Sequence, residues 1–203
     1  MFHNFLTRAN LQQPTRLFSS SLLQRSRLGL GLLCIDREWE LQTGDIKHKD
    51  TFDFPVVNRT VRGLTFDMCM TGIMTPKVKE EFCQAVQEMD NHPEVTGISG
   101  DCGFMMYFQK MTSQITRKPV FMSPLVQLPM LAMTCAHRDE FIIMTSNGKQ
   151  LQNMTSFLSN NVALDTDRYH IVGCENIDGF EAVAAGGFLD GVKVEPSIVS
   201  VAK

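Results

Sequence analysis

Short apolar runs that end in small or hydroxyl residues recur along this chain, separated by polar or helix-forming stretches, and they limit what it can fold into. Leu28–Ile35, Val95–Ile98, Lys118–Met122, Glu140–Met144 and His170–Cys174 are such runs. Continuous apolar runs of about four to eight residues read as strands buried on both faces. Between them, Thr75-Pro76 reads as a helix N-cap followed by proline at the first helical position. Val78, Phe82, Ala85, Val86 and Met89 then fall on one stripe, with Lys77, Lys79, Glu80, Glu81 and Glu88 mostly outside it, which predicts an amphipathic helix. Asn91-His92-Pro93 ends it. Ser123-Pro124 repeats the capping device and opens a helix from Leu125 to Cys135 that Pro129 should kink. Strands alternating with helices predict the α/β class, a parallel sheet with helices on both faces. Its loops at 36–53, 99–103, 123, 145–148 and 173–176 should meet at the carboxyl edge, where open α/β sheets build their sites.

The loop Ser99-Gly100-Asp101-Cys102-Gly103-Phe104 stands out among these. Upstream lies the run at Val95–Ile98; downstream, Phe104, Met105, Phe108, Met111 and Ile115 recur at helical spacing. Cys102 is therefore expected at or just before a helix N-terminus, exposed, where unpaired N–H groups and the positive end of the helix dipole favour a thiolate. Such a thiolate serves as base or nucleophile, and this reading makes Cys102 the most reactive thiol of the chain. A buried structural cysteine is the alternative. Gly100 and Gly103 weigh toward function, because glycine lets the backbone approach a ligand closely.

Composition narrows the choice. The 203 residues are 43% apolar and 20% charged with net charge −3, which fits a globular protein and argues against nucleic acid as a partner. No run of about 18 apolar residues exists, so no membrane-spanning helix is expected. The six cysteines, at 34, 69, 83, 102, 135 and 174, form no CxxC pair, which suits free thiols in a reducing compartment. Cys135-Ala136-His137 is the only tight Cys/His pair, so no metal site is expected. Residues 1–30 carry Arg8, Arg16, Arg25 and Arg27, serines at 19–21, and no acid before Asp36, the composition of an organelle transit peptide. On that reading the protein is addressed to a chloroplast or mitochondrion; otherwise the segment is a disordered extension of a cytoplasmic protein.

Taken in order, several segments resemble the Alma-type dimethylsulfoniopropionate lyases of algae, within the aspartate/glutamate racemase superfamily. They are Gly44-Asp45-Ile46 with Thr51-Phe52-Asp53-Phe54-Pro55-Val56, then Ile98–Phe104, Pro119–Ser123, Gly173-Cys174-Glu175-Asn176 and Gly179-Phe180-Glu181-Ala182-Val183. The resemblance implies two pseudo-symmetric, doubly wound α/β lobes facing each other across a cleft, each giving one catalytic cysteine. It implies no cofactor, a homotetramer, and elimination of dimethyl sulfide from dimethylsulfoniopropionate to leave acrylate. Cys102 matches the first catalytic cysteine. Candidate substrate-binding residues are Asp36, Asp45, Gly103, Ser123, Thr145, Ser146, Asn147 and Cys174. On this basis residues 31–136 would form the first lobe and 137–203 part of the second.

Two departures qualify the resemblance. The family's second catalytic cysteine lies beyond the Gly-Cys-Glu segment, past Lys203, and Cys174 does not match it. The second lobe is thus expected to be truncated, with an unpaired sheet edge and a rate lower by roughly 10²–10⁴-fold. Relatives carry a Phe-Pro-Arg-like stretch before Gly-Asp and a Gly-Asn after it, where this chain has Trp39-Glu40-Leu41 and Lys47-His48, so a carboxylate contact is expected to be missing. The competing readings are an amino-acid or hydantoin racemase, and an inactive homologue that binds small carboxylates or a full-length subunit.

Overall fold

A computed structural model of the chain describes residues 29–38, 41, 43–162, 166–180, 183 and 191–201. The candidate leader up to residue 28, and Trp39, Glu40, Glu181 and Ala182 from the motifs above, lie outside the described residues.

The chain opens with β1 (Gly29–Cys34), β2 (Val56–Thr60), α1 (Phe66–Thr71), α2 (Pro76–Asn91) and β3 (Val95–Gly100). A 3₁₀ turn at Gly103–Phe108 leads into α3 (Gln109–Ile115), β4 (Val120–Phe121), a second 3₁₀ turn at Pro124–Gln127, and α4 (Leu128–Thr134). β5 (Phe141–Thr145), α5 (Gly148–Val162), a 3₁₀ turn at Thr166–Arg168, β6 (Tyr169–Gly173) and α6 (Gly191–Val201) complete the described elements. β1 to β4 form one sheet in the order β2-β1-β3-β4, and β5 and β6 a second; all pairs are parallel. The chain is thus of the α/β class, as the alternation predicts. No helix among the described residues is long and apolar enough to cross a membrane.

The order of the first sheet has a consequence for the site. The chain leaves β1 toward β2 on one side and returns to β3 on the other, which makes the β1/β3 boundary the switch point where open sheets leave a crevice. That boundary ends at Leu33 paired with Gly100, directly before Asp101 and Cys102.

Packing follows the apolar pattern. The α2 stripe of Val78, Phe82, Ala85, Val86 and Met89 is buried, and Thr75 caps the helix through Val78 N–H at 3.3 Å. Phe82 meets Phe108 edge-on at 5.3 Å, which locks α2 to the turn after Cys102. Side chains of this size contribute about 1.5–3 kcal/mol each when fully buried. Leu151, Met154 and Leu158 of α5 belong to the same core, and Tyr107 packs on Phe157 at 4.8 Å, so α5 joins the two sheets.

Two expectations need correction. Pro129 does not kink one long helix; the segment divides into the 3₁₀ turn at Pro124–Gln127 and α4, with Pro129 in the first turn of α4. A proline that cannot donate is tolerated at a helix start and not in its interior, so the chain starts a new helix there. The residues after Cys102 likewise form a 3₁₀ turn before α3 begins at Gln109, so no α-helix dipole begins at Cys102.

Candidate active site

The Cys102 loop is bolted to the end of β1. Asp101 N–H donates to Leu33 O at 3.1 Å, and Ile35 N–H donates back to both carboxylate oxygens of Asp101 at 3.1 and 3.2 Å. Lys47 Nζ lies 3.8 Å from the same carboxylate, whose side chain is 1% exposed. Burial outweighs these favourable contacts and pushes the Asp101 carboxyl up to about 6. On the other side Gly100 runs close under the turn. A Cβ there would strike Met105 Sδ and lie 2.9 Å from Met122 O, so only glycine fits. Gln109 completes the clamp, donating to Val120 O at 2.9 Å and accepting from Met122 N–H at 2.8 Å.

Cys102 itself is extended, with φ −130° and ψ 128°, and 9% exposed. The expectation of an exposed thiol therefore fails: Phe104, Met105 and Phe108 turn inward and draw the loop down with them. Cys83 and Cys135 are half-buried, and exposure alone ranks them ahead of Cys102. What Cys102 has instead is a hollow of about 230 Å³, lined by Cys102, Gly103 and Phe104, by Ser123, Pro124 and Leu125, and by Ile143, Met144, Thr145, Ser146 and Leu151. A hollow of this volume has room for a short-chain carboxylate.

No lining side chain is an acid or a basic residue, so a bound carboxylate would be met by neutral donors. Ser123 Oγ accepts from Leu125 N–H at 3.2 Å, which leaves its O–H proton to donate. Thr145 Oγ1 accepts from Asn147 N–H at 3.4 Å, and Asn147 Oδ1 accepts from Gln150 N–H at 3.0 Å, capping the start of α5. The Ser146 hydroxyl lines the hollow and has no hydrogen-bond partner among the described residues. Gly103 and Phe104 contribute the first amides of a helical turn, which have no acceptor within it. A Cβ on Gly103 would meet nothing within 4 Å, so that face of the turn is open.

The structure thus gathers Cys102, Gly103, Ser123, Thr145 and Ser146 around one hollow, with Asn147 directly beyond it. The other three candidates lie elsewhere. Asp36 Oδ2 accepts from Gly63 N–H at 2.7 Å and ties two loops together. Asp45 Oδ1 accepts from Lys47 N–H at 2.7 Å within its own turn. Cys174 is buried beside β5, its N–H donating to Thr145 O at 2.7 Å, and burial raises its thiol. The thiol of Cys34 is pushed up to about 12, chiefly by burial.

Sequence reasoning missed the apolar walls Phe104, Leu125, Ile143 and Met144, the Asp101 clamp, and Cys69. The Cys69 side chain is fully buried in the core cluster that also holds Cys102. No group of three or more His, Cys, Asp or Glu among the described residues could hold a metal ion.

Comparison with known proteins supplies what geometry alone leaves open. No family model and no solved structure matches the chain. It is 38% identical over 194 residues to dimethylsulfoniopropionate lyase 3 of Emiliania huxleyi (strain CCMP1516), an alignment covering 95% of this chain and 50% of that relative. It is 40% identical over 176 residues to dimethylsulfoniopropionate lyase 7 of the same strain, covering 86% and 51%. The dimethylsulfoniopropionate lyase of Durusdinium sp. clade D is 39% identical over 176 residues, covering 86% of this chain and 58% of its own length. The chain therefore spans about half the length of the curated relatives it matches. Across that shared half, it belongs to the dimethylsulfoniopropionate lyase family.

Proposed function

We propose that the chain cleaves dimethylsulfoniopropionate to dimethyl sulfide and acrylate, with Cys102 as the base. The observation that carries this reading is the Cys102 thiol set into the wall of a small hollow whose other lining groups are apolar or neutral donors. Family membership supplies the substrate class.

The carboxylate would lie against Ser146, the Ser123 O–H and the Gly103 and Phe104 amides. The Cys102 thiolate then takes a proton from the carbon next to that carboxylate. The electron pair left behind forms the carbon–carbon double bond as the carbon–sulfur bond breaks, and the departing sulfur keeps the bonding pair and loses its positive charge. Acrylate and dimethyl sulfide result, and Cys102 returns the proton to solvent. Charge gathers on the carboxylate oxygens as the proton leaves, which is when fixed donors stabilise it most. Phe104, Leu125, Ile143 and Met144 would surround the methyl groups and keep water from the carbanion. No cofactor enters the scheme. The two-lobed, racemase-like arrangement belongs to the same proposal, since the first sheet supplies Cys102 to one wall and the second supplies Ser146 to the other. So do a homotetramer and an organelle address, both supported by resemblance and composition.

Headspace measurement of dimethyl sulfide over the purified chain tests the proposal. Release above a protein-free control, lost in Cys102→Ala, is expected. Release unchanged in Cys102→Ala, or none above the control, would overturn it.

A further inference from the structure

The second sheet is docked on α4 through one arginine. Arg168 Nη1 donates to Ala132 O at 3.1 Å, Nη2 to Ala136 O at 2.8 Å and Nε to Asp139 O at 3.0 Å. The end of α4 needs such a donor. Cys135 N–H bonds back to Leu131 O, but Ala136 N–H, which would continue the helix onto Ala132 O, donates to Asp139 Oδ2 at 2.9 Å instead. A guanidinium holds five N–H donors in a fixed plane, and a cation is favoured at a helix C-terminus. The same guanidinium lies 5.1 Å from the centre of the Phe141 ring, Phe141 stacks on Tyr169 at 5.2 Å, and the Tyr169 hydroxyl donates to Leu128 O at 3.1 Å. Phe141 and Tyr169 are paired at the first rung of β5 and β6, so both strands begin on this clasp.

The clasp stands between the two walls of the hollow. One wall comes from Cys102–Phe104 and Ser123–Leu125, the other from Ile143–Ser146 and Leu151. From Leu125 the chain passes through α4 into β5, and β5 runs from Phe141 at the clasp to Thr145 at the hollow. α5 ties the second sheet to the core through Leu151, Met154 and Leu158, and the clasp fixes how β5 leaves α4. At about 3.3 Å per residue β5 is a strut of roughly 13 Å, so a swing of about 5° at Phe141 moves Thr145 and Ser146 by about 1 Å. We propose that Arg168 and Tyr169 are positioning residues that hold β5 to α4, keep the two walls together, and so limit the size of molecule admitted beside Cys102. This rests on the reading of the hollow as the lyase site and deepens it. Neither side chain lines the hollow, and both act only through β5. A displacement of about 1 Å in a positioning group far from the chemistry costs up to about a hundredfold in rate.

Two thiol reagents of different size read the width without depending on turnover. The full chain and its Arg168→Ala and Tyr169→Phe variants are treated, well below their melting temperatures, with iodoacetamide and separately with fluorescein maleimide. Modification of the Cys102 peptide is followed by mass spectrometry. In Arg168→Ala the ratio of the iodoacetamide rate to the maleimide rate should fall by roughly three- to tenfold, while Cys34, fully buried in β1, stays as slow as in the parent. Tyr169→Phe keeps the ring stack and loses one hydrogen bond, and its ratio should fall by about twofold. An unchanged or higher ratio in folded Arg168→Ala would overturn the proposal. So would equal acceleration by both reagents at Cys102 and Cys34, which is loss of stability alone. If Arg168→Ala does not fold, Tyr169→Phe decides, and a parental ratio there refutes the clasp. Where dimethyl sulfide is released, KM for dimethylsulfoniopropionate should rise by roughly three- to tenfold in Arg168→Ala; a lower kcat at parental KM would count against the positioning role. A parent that releases no dimethyl sulfide would sink the lyase reading and leave the labelling ratios to judge the clasp.

Discussion

Asp101→Asn gives a direct measure of how firmly the Cys102 loop is anchored. In the folded chain the Asp101 carboxyl is raised from 3.8 to about 6, first by burial, against the pull of Ile35 N–H and Lys47. An acid whose pKa is raised on folding binds more protons folded than unfolded across that interval. Its contribution to stability is therefore fully present below about pH 3.8 and lost as the pH rises through about 6. The whole span is worth roughly 3 kcal/mol, and about 2 kcal/mol of it falls between pH 4.5 and 7.5. Asparagine keeps the shape and one acceptor for Ile35 N–H but does not titrate. Urea unfolding of parent and variant at matched ionic strength, from pH 4.5 to 7.5, gives the difference in stability with the shared titrations cancelled. That difference should shift in favour of Asp101→Asn by about 2 kcal/mol as the pH rises, on top of a constant offset for the altered hydrogen bonds. A difference that is flat across the range would refute the dominance of burial. One that moves the other way would show that Ile35 and Lys47 hold the carboxylate more strongly than burial repels it.

Gly100→Ala should destabilise the fold by about 2 kcal/mol, because the added methyl meets Met105 Sδ and Met122 O beneath the turn; an unchanged urea midpoint would contradict that packing. Thr75→Ala removes the cap of α2 at Val78 N–H and should cost about 1 kcal/mol, read from a thermal melt. Glu175→Ala removes the carboxylate that accepts from Gly148 N–H at 3.2 and 3.0 Å at the start of α5. It should cost about 1 kcal/mol and speed hydrogen exchange of the first α5 amides, which a normal exchange rate would disprove.

Legibility of the fold followed burial. β1, β3, β5 and β6 are near-continuous apolar runs, and the stripe of α2 carries its own cap, so each was readable within one or two residues. β2 was not, because it lies at the sheet edge and its Asn58 and Arg59 face outward enough to break the run, Arg59 reaching Glu81 and Glu88 of α2 instead. α1 is six residues long, too short to show a helical period at all. Its place is set by Thr65 as cap, Gly72 as stop and the aromatic contacts of Phe66, which only the folded chain assembles. Cys69 therefore carried no signal in the sequence, 33 positions from the Cys102 whose core cluster it joins.

The site was legible where loops end strands and illegible where a charge already had a partner inside the protein. Ser123, Thr145 and Ser146 follow strands or open turns, and parallel strands bring such positions to one edge by topology alone. Asp36 and Asp45 share that edge, but each has a backbone N–H to satisfy, and a carboxylate is a strong acceptor that takes the nearest donor first. Asp101 does the same on a larger scale. By accepting from Ile35 N–H it ties the ends of β1 and β3 together at the switch point. The hollow lies toward β4 and the second sheet, so that Cys102 shares it with the hydroxyls of Thr145 and Ser146 and no acid from the first loop lines it. A thiolate taking a proton beside a bound carboxylate, the role proposed for Cys102, would gain from that lining: a second anion on the wall would repel both the substrate and the charge that develops on it.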